Sequence, residues 1–136
     1  MMNYNEIVEG LFFHTDHQGV ITCDEPRTVG FSIPGAGKLA GCQLYLQCNE
    51  KGLIKKARFK AYGNPYLISG LEWICRQLQG TVLENSSYWT AQFFIELLDI
   101  PKYKQSAAFL LEDISTKTVN LMQEKFRSDD DPSNAS

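Results

Sequence analysis

Nowhere does this sequence carry a Cys-x-x-Cys pair: its four cysteines, Cys23, Cys42, Cys48 and Cys75, stand far apart. In a reducing compartment such cysteines read as free thiols, most of them packed into the core. Long apolar runs are also missing. No stretch approaches the ~20 residues of a membrane span. The N-terminal MMNYNEIVEGLFFHTDHQG has no basic flank leading into an apolar run, so no signal peptide is expected and the location expected is cytoplasmic. Positive charge is not in excess. Thirteen Lys and Arg against sixteen Asp and Glu leave a net charge of −3. That argues against nucleic acid as the main partner, because neutralising phosphates requires a concentrated basic face.

The usual enzyme constellations are absent as well. There are two histidines, His14 and His17, and neither pairs with an evident nucleophile. GAGK at residues 35–38 lacks the Ser or Thr that follows the lysine of a phosphate-binding loop, and no buried parallel strand precedes it. The expectation is a protein that is not an enzyme.

What is present is one domain's worth of patterned chain. At 136 residues, with 43% hydrophobic and 21% charged side chains, the chain can bury a sizeable core. Residues 4–13 place Tyr4, Ile7, Val8, Leu11 and Phe12 at helical spacing. A short strand is expected at TVGFSI, residues 28–33, and the glycine-rich PGAGKLAG after it reads as a loop. From Cys42 the pattern alternates: Cys42, Leu44, Leu46 and Cys48 on one face, Gln43, Tyr45 and Gln47 on the other. NEKG makes a hairpin turn, and the return strand puts Leu53, Ala57, Phe59 and Ala61 inward and Lys56, Arg58, Lys60 and Tyr62 outward. The outer face is expected to be wet and basic.

Asn64 and Pro65 open the next helix, since Asn is a good N-cap and Pro suits the first helical position. Leu67, Ile68, Leu71, Ile74, Cys75 and Leu78 form its apolar stripe and Gly80 stops it. Further helices are expected at about 87–98 and 106–126, the last carrying Phe109, Leu110, Ile114, Leu121 and Met122 inward. The fold class is therefore α+β: a three-stranded antiparallel sheet with helices packed on one face, spanning residues 1–126. Residues 127–136, RSDDDPSNAS, read as a disordered polar tail.

The run NEKGLIKKARFKAYG, followed by a helix ending at Gly80, resembles the U-type iron–sulfur scaffold proteins, IscU and the N-terminal domain of NifU. ARFKAYG is its specific part, and the register fits without a gap from Lys38 to Gly80. LEDI at 111–114 and IPKYK at 100–104 fall where the family has its last-helix start and its chaperone-recognition motif. In such scaffolds three cysteines, helped by an aspartate and a histidine, hold a nascent [2Fe–2S] cluster, because soft thiolates suit sulfide-bridged iron. The resemblance puts the cysteine positions at Lys38, Asn64 and Ala107, the aspartate position at Ala40 and the histidine position at Ser106. Every inherited ligand is replaced, and Lys38 adds a positive charge that opposes a cation.

The resemblance thus implies an IscU-like protein of iron–sulfur assembly that holds no cluster through those positions and acts as a binding or regulatory partner, of a cysteine desulfurase or another assembly protein. No cofactor is expected, although the family implies iron or [2Fe–2S], with zinc as the other metal. The family's chaperone motif is leucine, two prolines, valine and lysine. Here Ile100, Pro101 and Lys104 keep their places but Lys102 and Tyr103 do not, so chaperone recognition is expected to weaken.

An alternative is active sulfur or metal transfer with relocated ligands. His14, Asp16 and His17, with Cys23 approaching from the following loop, offer zinc or ferrous-iron chemistry. GCQL at 41–44 is similar to the GCQS of SufE-type sulfur acceptors, which would make Cys42 a persulfide acceptor, but Cys42 lies within the alternating strand rather than in the loop before it. A third use of the fold is homo-oligomerisation through Phe12, Phe13, Tyr66 and Trp89.

Overall fold

Asn5 opens the first helix by accepting a hydrogen bond from the Val8 backbone N–H at 2.8 Å, which satisfies one of the donors a helix start leaves free. Helix α1 (Glu6–Phe13) follows and turns Val8 and Leu11 into the core. The structure is a computed structural model and describes residues 5–35 and 41–130. Tyr4, Lys38 and Ala40 lie outside the described residues, as do 131–136.

Strands β1 (Thr28–Ile33), β2 (Cys42–Cys48) and β3 (Ile54–Ala61) form an antiparallel sheet in the order β1-β2-β3. The register pairs Phe31 with Leu44 and Leu44 with Phe59, so one face carries Val29, Leu44, Leu46, Ala57 and Phe59 into the core. Alternation fails at one place. A register shift at Gln47 and Cys48 pairs Cys48 with Ile54 but Gln47 with Lys56, leaving Lys55 as an extra residue on β3. This bulge puts Ile54 in the core in place of Leu53, which is half-buried.

The outer face is not wholly wet. Gln47 is buried there, its amide donating to Thr28 Oγ1 at 3.0 Å and to Glu25, because the loop before β1 folds over that end of the sheet. The free edge of β3 is also used: Phe59 donates to the His17 carbonyl at 3.0 Å and accepts from Gly19 N–H at 2.8 Å.

Helix α2 (Pro65–Leu78) packs on β3 and on α1, and α4 (Ser106–Asp130) on β1, β2 and α2. The α2–α4 crossing is close: a Cβ added to Gly70 would lie 2.3 Å from Leu111 Cδ1. Helix α3 (Ala91–Leu98) begins later than the expected 87, because Thr90 caps it by accepting from Phe93 N–H at 3.2 Å. Tyr88 and Trp89 stay outside the helix, and the Trp89 ring meets Trp73 edge-on at 5.0 Å. Short 3₁₀ turns at Leu83–Asn85 and Lys102–Lys104 complete the chain.

The last helix differs from the reading above in face and length. Its buried stripe is Ala107, Ala108, Leu111, Ile114, Ser115, Thr118, Val119 and Met122, whereas Phe109 is 62% exposed and Leu121 is at the surface. Ser115 and Thr118 sit inside because each hydroxyl donates to its own helix, to Leu111 O at 2.7 Å and Ile114 O at 2.6 Å, so burial leaves no unpaired donor. The helix continues to Asp130, four residues beyond the expected end at Phe126, so residues 127–130 of the expected tail are helical. The architecture is the expected α+β one. Among the described residues no helix is long and apolar enough to cross a membrane.

Candidate functional site at the helix N-termini

β3 ends at Ala61, and the chain reverses through exposed Tyr62 and Gly63, whose φ of +89° favours glycine. Asn64 then caps α2. Its Oδ1 accepts from Tyr66 N–H at 2.9 Å and Leu67 N–H at 3.4 Å, and Pro65 takes the first helical position. Asn64 is half-buried and its carbonyl oxygen is committed to the helix.

The approach to the second N-terminus, that of α4, starts at Asp99, the left-handed C-cap of α3 at φ +51°. Ile100 donates to the Ile95 carbonyl at 3.0 Å and is only 4% exposed. Of the expected partner-contacting residues, Ile100 thus belongs to the core, while Pro101 and Lys104 are half-buried. The exposed side chains of this turn are Lys102 and Tyr103. Ser106 is exposed at the start of α4 and Ala107 is fully buried. Asn64 lies six residues before Gly70, and Ser106 five before Leu111. At ~1.5 Å per residue both are within about 9 Å of the α2–α4 crossing along their own helices.

The thiols are elsewhere. Cys42 is 3% exposed, flanked on the sheet by Ile33 and Ala61. Burial pushes its thiol up to about 11, and the Asp113 carboxylate of α4 adds to the rise. Burial also pushes Cys48 up to about 11, partly opposed by Arg27. Cys75 is raised well above the ordinary thiol range by burial and then by Glu72, with Arg58 opposing. A persulfide acceptor needs an accessible thiolate. Cys42 does not present one. Cys23 is the exposed thiol.

The His14–His17 segment has a different role from the ligand cluster considered above. His17 turns inward: its backbone N–H donates to Glu72 Oε1 at 2.9 Å and its Nδ1 lies 2.6 Å from Glu72 Oε2. Arg76 Nε donates to the same Oε2 at 2.7 Å, and Arg76 Nη2 donates to the His14 carbonyl at 2.6 Å. His14 and Asp16 are exposed. Among the described residues no three His, Cys, Asp or Glu side chains gather to hold a metal ion. What the segment builds is a strap bolted to α2 by a fully buried carboxylate.

Glu72 was the residue that sequence reasoning passed over. Its signal was available: a glutamate inside the stripe of Leu71, Ile74 and Cys75, four residues before an arginine. The aromatic set proposed for self-association also divides. Tyr66 is buried and Trp89 packs against the core, while Phe13 is exposed with Phe12 edge-on to it at 5.4 Å.

No family model matches the chain. It is 31% identical over 86 residues to the iron–sulfur cluster assembly scaffold protein IscU of Buchnera aphidicola subsp. Acyrthosiphon pisum, covering 62% of this chain and 68% of that protein. In structure it is similar to a nitrogen-fixing NifU-like protein, N-terminal part, from Brucella abortus. The TM-score is 0.62 over 89% of this chain and 94% of that one, at 13% identity, a likeness of fold. The identity to the Buchnera protein and the share of it that is matched show that this chain belongs to the IscU family of iron–sulfur cluster assembly scaffold proteins.

Proposed function

We propose that this chain is a divergent scaffold-family protein that holds no cluster through the family's ligand positions and serves as a non-catalytic binding or regulatory partner in iron–sulfur assembly. The observation that carries this reading is the commitment of Asn64 to capping α2, at the position where the resemblance puts a cysteine. With Ser106 a hydroxyl, Ala107 a buried methyl, and Lys38 and Ala40 in the sequence, the five positions offer no thiolate, carboxylate or imidazole. A [2Fe–2S] cluster, the cargo of such scaffolds, needs soft sulfur ligands, and zinc needs sulfur, imidazole or carboxylate. The donor set fits neither.

The scaffold fold supports a partner role within the same assembly pathway. The partner expected is a cysteine desulfurase or another assembly protein. The chaperone contact is the one expected to weaken, since Ile100 is buried and Lys102 and Tyr103 occupy the exposed turn. The test is direct binding of the purified chain, metal-free, to a cysteine desulfurase by calorimetry. Saturable binding supports the partner role, and none at tens of micromolar overturns it. A peptide of residues 97–107 is expected to stimulate an Hsp70-type ATPase less than a scaffold peptide does. Equal stimulation would overturn the weakened contact.

A further inference from the structure

On the outer face of the sheet, Ser32, Gln43 and Lys60 form one row across all three strands, since Ser32 pairs with Gln43 and Gln43 with Lys60. Directly opposed residues on one face have Cβ atoms about 5 Å apart. The row opens into a cavity of about 530 Å³, walled by Val20, Pro34 and Tyr62. Cavities of a few hundred cubic ångströms are the size of small-molecule sites.

Ser32, Gln43 and Lys60, which line this space, all carry donors. Gln43 Oε1 accepts from the Tyr45 hydroxyl at 2.6 Å, which orients the amide and leaves its NH₂ free to donate. Lys60 is half-buried, and among the described residues it forms no ion pair. No Asp or Glu is among the lining residues. A lysine ammonium that forms no ion pair among the described residues, beside an oriented amide and a hydroxyl, favours an anion. Val20 and Tyr62, 55% and 65% exposed, add apolar surface beside it. Single exposed apolar residues are ordinary, but these two share one cavity with the donors.

We infer that this outer-face cavity binds a small organic oxyanion, a carboxylate or phosphate ester with an apolar body, through Lys60, Gln43 and Ser32. Lys60 supplies the charge, Gln43 and Ser32 direct the oxygens, and Tyr62 and Val20 cover the apolar part. The cavity adjoins the α2 N-terminus through Tyr62, but its donors Ser32, Gln43 and Lys60 lie on the sheet and none of them is a family ligand position.

The test is a titration of the ¹⁵N-labelled protein with benzoate, phenyl phosphate and the neutral isostere benzamide, followed by amide shifts. Saturable shifts centred on Ser32, Gln43, Lys60 and Tyr62 are expected with at least one anion and not with benzamide. Tighter phenyl phosphate identifies the phosphate-ester class, and tighter benzoate the carboxylate class. Lys60→Met and Gln43→Leu, whose spectra also report that they are folded, are each expected to weaken binding, Lys60→Met by at least about tenfold. Absence of saturable shifts with both anions, equal binding of benzamide, or undiminished binding by Lys60→Met would overturn the inference.

Discussion

His17 Nδ1 and Glu72 Oε2 lie 2.6 Å apart across 55 positions of sequence, at a carboxylate that has no exposed surface. The same Glu72 takes the His17 backbone N–H and Arg76 Nε, so both its oxygens are occupied. The contact fixes the segment after α1 against α2, and through the His17 and Gly19 bonds to Phe59 it fixes the free edge of β3. One of the residues that sequence spacing offers as a metal ligand, His17, is thus engaged in a structural contact.

His17→Ala deletes one of the three hydrogen bonds to the buried Glu72 carboxylate and leaves Arg76 Nε and the backbone N–H of residue 17 in place. His17→Ala is expected to lower unfolding free energy by about 2 kcal/mol. Urea denaturation measures it, and an unchanged midpoint would show that the contact does not stabilise the fold.

The α2–α4 crossing is tight enough for one methyl group to matter. In Gly70→Ala the new Cβ would stand 2.3 and 2.7 Å from the two methyl carbons of Leu111, which is itself fully buried. Overpacking of this kind costs about 1–3 kcal/mol. Combining it with Leu111→Ala is expected to cost less than the sum of the single changes, since the contact is shared. Strict additivity would place the strain elsewhere.

At neutral pH a thiol reagent is expected to label Cys23 rapidly in the folded protein and the other three cysteines only on unfolding. Because burial raises Cys42 and Cys48 from 9.0 to about 11, the folded state holds their protons more tightly than the unfolded chain does. Their stabilising effect is complete below the unfolded value and is lost as pH rises through the window from 9 to 11. Stability measured across that window should fall, and less steeply in Cys42→Ala. Fast labelling of Cys42 at pH 7 would contradict its placement.

Asn64 is expected to matter to folding through its cap. Asn64→Ala should cost about 1 kcal/mol, and Asn64→Asp, which also caps, only a few tenths. Equal losses in the two variants would mean that the capping bonds do not carry the position's role.

The legible parts of the fold were those in which one strong local signal decided the outcome. Alternation fixed the faces of β2, and Asn64-Pro65 fixed the start of α2. Position errors arose where a neighbour intervened. Lys55 bulges out of β3 and moves Ile54 inward, Thr90 delays α3, and small self-bonded Ser115 and Thr118 take the core side of α4 that Phe109 and Leu121 were expected to fill. For the candidate site, the cap at Asn64 was readable from two residues. The binding of His17 to Glu72 was not, because a pairing across 55 positions leaves no local pattern.

The most direct test of the central claim is the content of iron and acid-labile sulfide per chain, measured on protein purified anaerobically and offered iron, sulfide and a desulfurase. The account predicts values near zero for both. Stoichiometric iron and sulfide in the unaltered protein would contradict it.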